Sequence, residues 1–384
     1  MQKIIAFFMT ILMFFFPRLN IPEVNIDTES WNTDYTFVFV HGLSGWGEYN
    51  PENYIMPYWG MLGGSLMKYL NARGFTCAAA SVARADSSWD RACELYAQLT
   101  GTRVDYGKEH SERCHHGRYG VDYSLCPLIK SFSAEDKINL LGHSFGGATV
   151  LTFLELMANG SEAEKAVTPE NELSGLFTGG KGDWIYSVTT LSSPLNGTSA
   201  YEVMPQEGEN AGVRVYLTTD TLNFASLTTQ DGRIADDSAT YDMHIDNAMK
   251  MLEGIETQSH IYYFSIPCCY TVQQEDGTWA PKDDMEPLFV SASERMGKYT
   301  GVTEGGYVVD EKWQQNDGLV NTYSARAPFN APQKDIDRND IQPGIWNVMP
   351  TFDGDHMSLQ GGLIYNDNIR EVYVDLLNMI NTLS

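Results

Sequence analysis

The stretch KINLLGHSFGG, residues 137–147, decides how the chain must fold. Lys137–Leu141 has the short, apolar, β-branched character of a buried strand, and a helical spacing of apolar residues runs over Ala148–Ala158 to Asn159-Gly160, a C-cap pair. Between them lies Gly142-His143-Ser144-Phe145-Gly146. A serine flanked by glycines at a direct strand-to-helix junction is the sequence of a sharp turn. The glycines make room where a β-carbon would collide, and the turn lifts the serine hydroxyl above the carboxyl edge of a sheet. Ser144 is therefore the candidate nucleophile.

Working outward, Thr36–Val40, Phe75–Val82, Trp184–Leu191, Ile261–Ile266 and Ile345–Met349 repeat the strand pattern, while Trp59–Asn71 and Ile369–Ile380 carry helical spacing. Strands alternating with helices predict a mostly parallel sheet with helices on both faces. Together with the elbow this defines an expected α/β-hydrolase fold. We read residues 31–384 as one domain, with an inserted lobe at 86–127 and a cap or lid at 195–259, two segments that break the alternation. Connections this long are usually functional.

A serine hydroxyl becomes a nucleophile when a base removes its proton and a carboxylate orients that base. In an α/β hydrolase the order along the chain is serine, acid, histidine. Three histidines follow Ser144: His244 within the cap, His260 at the start of a predicted strand, and His356 in the loop between the last strand and the last helix. Position selects His356. For the acid, Asp317 in the turn Asn316-Asp317-Gly318 leads, with Asp355 as the alternative, because neighbours in sequence rarely face each other. The oxyanion of an acyl-transfer intermediate needs backbone donors from the residue after the nucleophile and from a loop after an early strand. These are Phe145 and, in the loop His41–Gly47, Leu43.

Composition narrows the partners. The chain has 50 acidic and 25 basic residues, a net charge of -25, which opposes binding to nucleic acid or anionic membranes. Lys3, the apolar run Ile4–Phe16 and Pro17-Arg18 make residues 1–20 a candidate signal peptide, or an anchor if uncleaved, and so point to a secreted or cell-surface protein. Six cysteines in 384 residues are too few for a disulfide framework. Cys114 and Cys126 flank a short loop and could pair.

Several strings together resemble one family: HGLSGWGE (41–48), SSWDRACELYAQLTGTRVDYGKEHSE (87–112), LLGHSFGG (140–147), SVTTLSSPLNGT (187–198), NDGLVNTYS (316–324) and GIWNVMPTFDGDH (344–356). The chain is similar, from about Phe37 to its end, to bacterial lipases of the thermoalkalophilic Geobacillus type and their staphylococcal relatives. The resemblance implies Ser144, Asp317 and His356 as the catalytic set. It also implies a structural zinc held by Asp90, His110, His116 and Asp242. The family's calcium is not expected, since Ser358 and Leu363 stand where its acidic ligands would be. The function so implied is hydrolysis of lipid (acylglycerol) esters through an acyl-serine, at a lipid–water interface. The segment Thr198–Thr240 is rich in Thr, Asn, Gly and Asp rather than apolar, which keeps shorter or more polar esters open as substrates. A surface or binding protein that retains the fold without catalysis is the alternative from another class.

Overall fold

The computed structural model describes residues 26, 28–203, 236–362 and 369–384. The expected signal segment at 1–20, residues 204–235 of the expected cap, and Leu363 lie outside the described residues.

Seven strands form the central sheet: β1 Thr36–Val40, β2 Cys77–Ala80, β3 Ile138–His143, β4 Ile185–Leu191, β5 Tyr262–Ile266, β6 Gln333–Asp335 and β7 Trp346–Val348. Their order across the sheet is β6-β7-β5-β4-β3-β1-β2. Every pairing is parallel, so the carboxyl ends of all the strands share one edge. Four helices are named here: α1 Ser88–Thr100, α2 Lys108–Cys114, α3 Phe145–Asn159 and α4 Arg370–Asn381.

Alternation along the strands sends side chains to two cores. In β1, Val38 and Val40 join Leu140, Val188 and Tyr263 against α1 and α3, where Leu95, Val150, Phe153 and Met157 pack. Phe37 and Phe39 point the other way, joining Leu141, Phe264 and the Leu66–Asn71 helix against Tyr373, Leu377 and Ile380 of α4. A parallel sheet has to be covered on both faces in this way, because its strands are apolar throughout.

Differences from the sequence reading have local causes. The helix expected over Trp59–Asn71 begins at Leu66, because Gly60 and Gly64 adopt positive φ values of 107° and 84° that interrupt any earlier turn. Ser65 then caps it by accepting a hydrogen bond from Lys68 N at 3.2 Å. Strand β6 carries no apolar signal in Gln333-Lys334-Asp335. It pairs with β7 alone, so neither face needs to be hydrophobic.

The 86–127 segment contains α1, which packs into the sheet-facing core, followed by α2 and an antiparallel pair, Arg103–Asp105 with Tyr119–Asp122. Two short helices, Ala239–Met243 and Ile245–Leu252, follow where the chain resumes at Asp236. All six cysteines are free, so Cys114 and Cys126 are not joined. Among the described residues no helix is long and apolar enough to cross a membrane.

Backbone is tightly packed against backbone at the turn after β3. A β-carbon on Gly146 would stand 2.3 Å from the carbonyl oxygen of Val40 in β1, and one on Gly142 would stand 2.3 Å from the carbonyl oxygen of Gly146. Backbone on both sides leaves nothing to rotate away. Gly146→Ala is expected to destabilise the protein by about 2 kcal/mol or more, in the upper range for overpacking. Denaturant unfolding of the variant beside the parent checks this, and an unchanged midpoint would contradict it.

Candidate active site and metal centre

Ser144 follows directly on β3 and serves as the N-cap of α3, with φ 55° and ψ −129°. Side-chain-bearing residues avoid this region, and the strain is held by the interlocked glycines on either side. Phe145 is the first residue of α3, so its N–H has no acceptor within the helix and faces outward beside the serine.

His356 Nε2 lies 2.8 Å from Ser144 Oγ, and His356 Nδ1 lies 2.8 Å from Asp317 Oδ2. The backbone joins the two loops as well, His356 N donating to Asp317 O at 2.9 Å. The other Asp317 oxygen accepts from Leu319 N at 3.0 Å and Val320 N at 2.8 Å, and the Ser192 hydroxyl donates to Oδ2. Burial alone would raise the pKa of this enclosed carboxyl. The imidazole of His356 and the converging donors outweigh it and hold Asp317 below the usual carboxylate range.

The alternative acid is employed elsewhere. Asp355 accepts from Glu286 N at 2.9 Å, and from Met357 N and the Ser358 hydroxyl at 3.1 Å each. Of the other downstream histidines, His260 is exposed and His244 stacks on Tyr201 with ring centroids 4.7 Å apart.

The loop after β1 presses on the serine: a β-carbon on Gly42 would meet Ser144 Cβ at 2.7 Å. Leu43, whose backbone amide is the second expected oxyanion donor, is the next residue of that loop. Beside the loop lies Arg91, fully buried, whose Nη2 donates to His41 O and whose guanidinium carbon sits 4.8 Å from the centroid of the Phe145 ring. Burial lowers its pKa only to about 10, so it remains a cation. A fixed positive charge on this side favours a developing oxyanion. Phe145, Tyr201, Ala239 and Met243 pack with Leu43 and Ala148 into an apolar cluster beside these amides.

The resemblance also pointed to a group of metal ligands, and the structure brings three of the four close together with Asp237 beside them. Asp90 Oδ1 lies 3.0 Å from His110 Nε2 and 3.7 Å from His116 Nε2, while Asp237 oxygens lie 3.4 Å from each of the same two nitrogens. Asp242 stands apart: its Oδ2 accepts from Ser88 N at 2.7 Å, at the first turn of α1, and burial raises its pKa to about 6. Asp237, rather than Asp242, faces the two imidazoles. The two differ because Ser238 caps the helix Ala239–Met243 by accepting from Tyr241 N at 3.2 Å, which carries Asp242 inside the helix and leaves Asp237 just before it. That Ser-x-x-Tyr cap, with an aspartate preceding it, was the local signal available in the sequence.

His110, Cys114, His116 and Asp237 offer ligand atoms all within 4.8 Å of one another. Cys114 Sγ, however, lies 3.8 Å from His110 Nδ1, the ring nitrogen opposite the carboxylates. One imidazole cannot turn both nitrogens to a single ion, so Asp90 completes the set more naturally than Cys114. Burial disfavours a charge on His110, yet Asp237 and Asp90 push its pKa up. Trp89 stacks on His110 at 5.1 Å, and Glu164 fixes the start of α2 by accepting from His110 N at 2.8 Å and Glu109 N at 3.1 Å.

A parallel sheet that presents a serine on a strand-to-helix elbow, with a histidine and an aspartate arriving from later loops in that order, defines an α/β hydrolase. The chain belongs to the lipase-like family: the family model described as "Lipase-like, C-terminal domain" matches residues 33–220 and 228–380. It is 30% identical to a lipase of Staphylococcus hyicus over 94% of this chain and 59% of that protein. It is also 30% identical to lipase 2 of Staphylococcus aureus, over 85% of this chain and 50% of that one. The chain thus spans only a little over half the length of these curated relatives. Among solved structures it is similar to EstA from Clostridium botulinum, with 32% identity, a TM-score of 0.81, and coverage of 96% of this chain and 93% of that one. Lipase 1 from Pelosinus fermentans gives 32% identity and a TM-score of 0.74, covering 91% and 99% of the two chains. The Staphylococcus hyicus lipase structure gives 26% identity and a TM-score of 0.77, covering 93% and 98%.

The two aspartates are separable by mutation. Asp317→Asn is expected to lower kcat on an activated ester by about three to four orders of magnitude, since it removes the charge that orients the base. Asp355→Asn, whose carboxylate holds backbone, is expected to keep at least about a tenth of parental kcat in folded protein. Initial rates with both purified variants decide between them.

Proposed function

We propose that the protein is a secreted serine ester hydrolase that cleaves lipid (acylglycerol) esters through an acyl-serine. The observation that carries this reading is the 2.8 Å approach of His356 Nε2 to Ser144 Oγ, with Asp317 2.8 Å behind the imidazole. In the reaction, Ser144 Oγ attacks the ester carbonyl while its proton passes to His356 Nε2. Asp317 stabilises the imidazolium, and the amides of Leu43 and Phe145 hold the oxyanion in the field of Arg91. The tetrahedral species collapses as His356 returns the proton to the departing alcohol. Water, deprotonated by the same histidine, then releases the acid.

The apolar cluster of Phe145, Tyr201, Ala239 and Met243 supports an acyl chain on the Leu43 side. Expected partners are the ester substrate and a lipid–water interface. The polar composition of Thr198–Thr240 favours shorter or more polar esters as the second reading.

Asp90, His110, His116 and Asp237 are the proposed ligands of a structural zinc. A tetrahedral site with bonds of about 2.0–2.1 Å has ligand–ligand edges of about 3.3–3.4 Å. The nitrogen–oxygen separations in this group run from 3.0 to 3.7 Å. Two imidazoles and two carboxylates suit zinc, and four protein ligands leave no position for a catalytic water. The ion would brace the 86–127 segment and take no part in the acyl chemistry.

Ser144→Ala is expected to reduce turnover of p-nitrophenyl esters by about four to six orders of magnitude while leaving the fold intact, as judged by circular dichroism. Parental activity in that variant would overturn the assignment. A rate profile from acetyl to palmitoyl esters, below and above substrate solubility, separates the lipid from the short-ester reading. For the metal, a chelator is expected to lower Tm and added zinc to restore it. Elemental analysis is expected to find zinc retained in Asp242→Asn and lost in Asp237→Asn, and the reverse pattern would restore Asp242 as the ligand.

A further inference from the structure

His143, within the elbow motif itself, has no part in the chemistry above, yet it is buried beside the catalytic base. Its Nε2 lies 2.9 Å from the carbonyl oxygen of His356, and its Nδ1 lies 2.7 Å from the hydroxyl of Tyr58. The same hydroxyl accepts a hydrogen bond from Gly42 N at 3.0 Å. Tyr58 is only 5% exposed and His143 1%.

The acceptors at either end of this chain constrain where its hydrogens lie. A carbonyl oxygen only accepts, so His143 Nε2 carries the proton that points at His356 O. Burial, reinforced by the nearby His356, lowers the His143 pKa to about 3, so the ring is neutral and Nδ1 holds a lone pair. Tyr58 must then donate to Nδ1, and its oxygen is left to accept from Gly42. With the ring neutral, each donor meets one acceptor in all three bonds.

The ends of the chain are informative. Gly42 immediately precedes Leu43, the oxyanion donor. His356 is the base. His143 immediately precedes Ser144, the nucleophile. We propose that Tyr58 and His143 are positioning residues, whose hydrogen-bonded chain sets the oxyanion loop and the base loop at fixed places relative to the serine. Neither residue touches the reacting atoms. Both act through backbone groups, so their effect falls on the geometry reached in the transition state and on kcat rather than on substrate affinity.

This inference rests on the reading of Ser144, Asp317 and His356 as the catalytic set. The test compares parent, Ser144→Ala, Tyr58→Phe, His143→Gln and the Tyr58→Phe/His143→Gln double variant on p-nitrophenyl butyrate. Active sites are counted by titration to completion with a phosphonate ester, and Tm is measured in parallel. Each single variant is expected to lose about tenfold to a hundredfold in kcat per titrated site, with KM within about twofold and the pH at half-maximal rate unchanged. The double variant should be no slower than about twofold below the worse single, because both changes break one chain. Single variants with kcat within twofold of the parent would overturn the proposal. So would effects that multiply in the double variant, or a loss that falls on KM. If Tyr58→Phe does not fold, His143→Gln is judged alone by the same kcat and KM limits. A parent inert towards esters, or an active Ser144→Ala, is a different failure: it removes the hydrolase reading and this inference with it.

Discussion

The site depends on a steric constraint, the contact of backbone with backbone where α3 leaves β3 against β1. Two strands side by side with a helix beginning between them leave no volume for a β-carbon at Gly142 or Gly146. That tightness holds Ser144 at φ 55°, a conformation it would not keep unaided. Everything catalytic is arranged around the point so created. Phe145 N–H has no acceptor within the helix because it opens it, the loop after β1 abuts the serine through Gly42, and His356 reaches the serine from the loop after β7.

How far this was legible in the sequence follows from the range of the interactions. The elbow is written in consecutive residues, so Ser144 and the strand and helix around it could be read directly. His356 followed from chain order and the position of the last strand. Asp317 was less accessible, because an Asp-Gly turn is common, and the resemblance did part of that work. The structure brings Asp317 to the imidazole and turns Asp355 to the backbone of Glu286 and Met357. Asp237 was not named from the sequence, because two aspartates lie five positions apart and which of them faces the imidazoles depends on which one a helix cap leaves outside. Strand β6 was invisible for want of apolar residues. The link from Tyr58 to His143 spans 85 positions, and no local pattern announces a contact at that distance.

Electrostatics in the interior follow a consistent division. Neutral imidazoles, His41 and His143, occupy the oxyanion loop and the elbow, each with its pKa lowered to about 3, mainly by burial. The cation, Arg91, lies between His41 O and the Phe145 ring. The anion, Asp317, is surrounded by donors on the far side of the base. A buried charge is costly unless something compensates it; Asp317 is met by His356 and by the Ser192, Leu319 and Val320 donors, whereas Arg91 has only its Nη2 hydrogen-bonded, to His41 O, and its Nε and Nη1 are buried without a hydrogen bond. The acidic surface, by contrast, has no share in this arrangement.

The first turn of α1 receives contacts from three directions. Ser87 Oγ donates to Asp237 at 2.6 Å, Ser88 N to Asp242 at 2.7 Å, and Asp90 faces His110 at 3.0 Å. Asp237 is two residues from Ala239 and six from Met243, both of which pack on Phe145 beside the nucleophile. A cation seated among these carboxylates would therefore act as a hinge pin as much as a brace. By fastening the chain at Asp237, it would fix where Ala239 and Met243 stand in the apolar cluster against Phe145. Metal content and the size of acyl group admitted would then be two readings of one mechanical quantity.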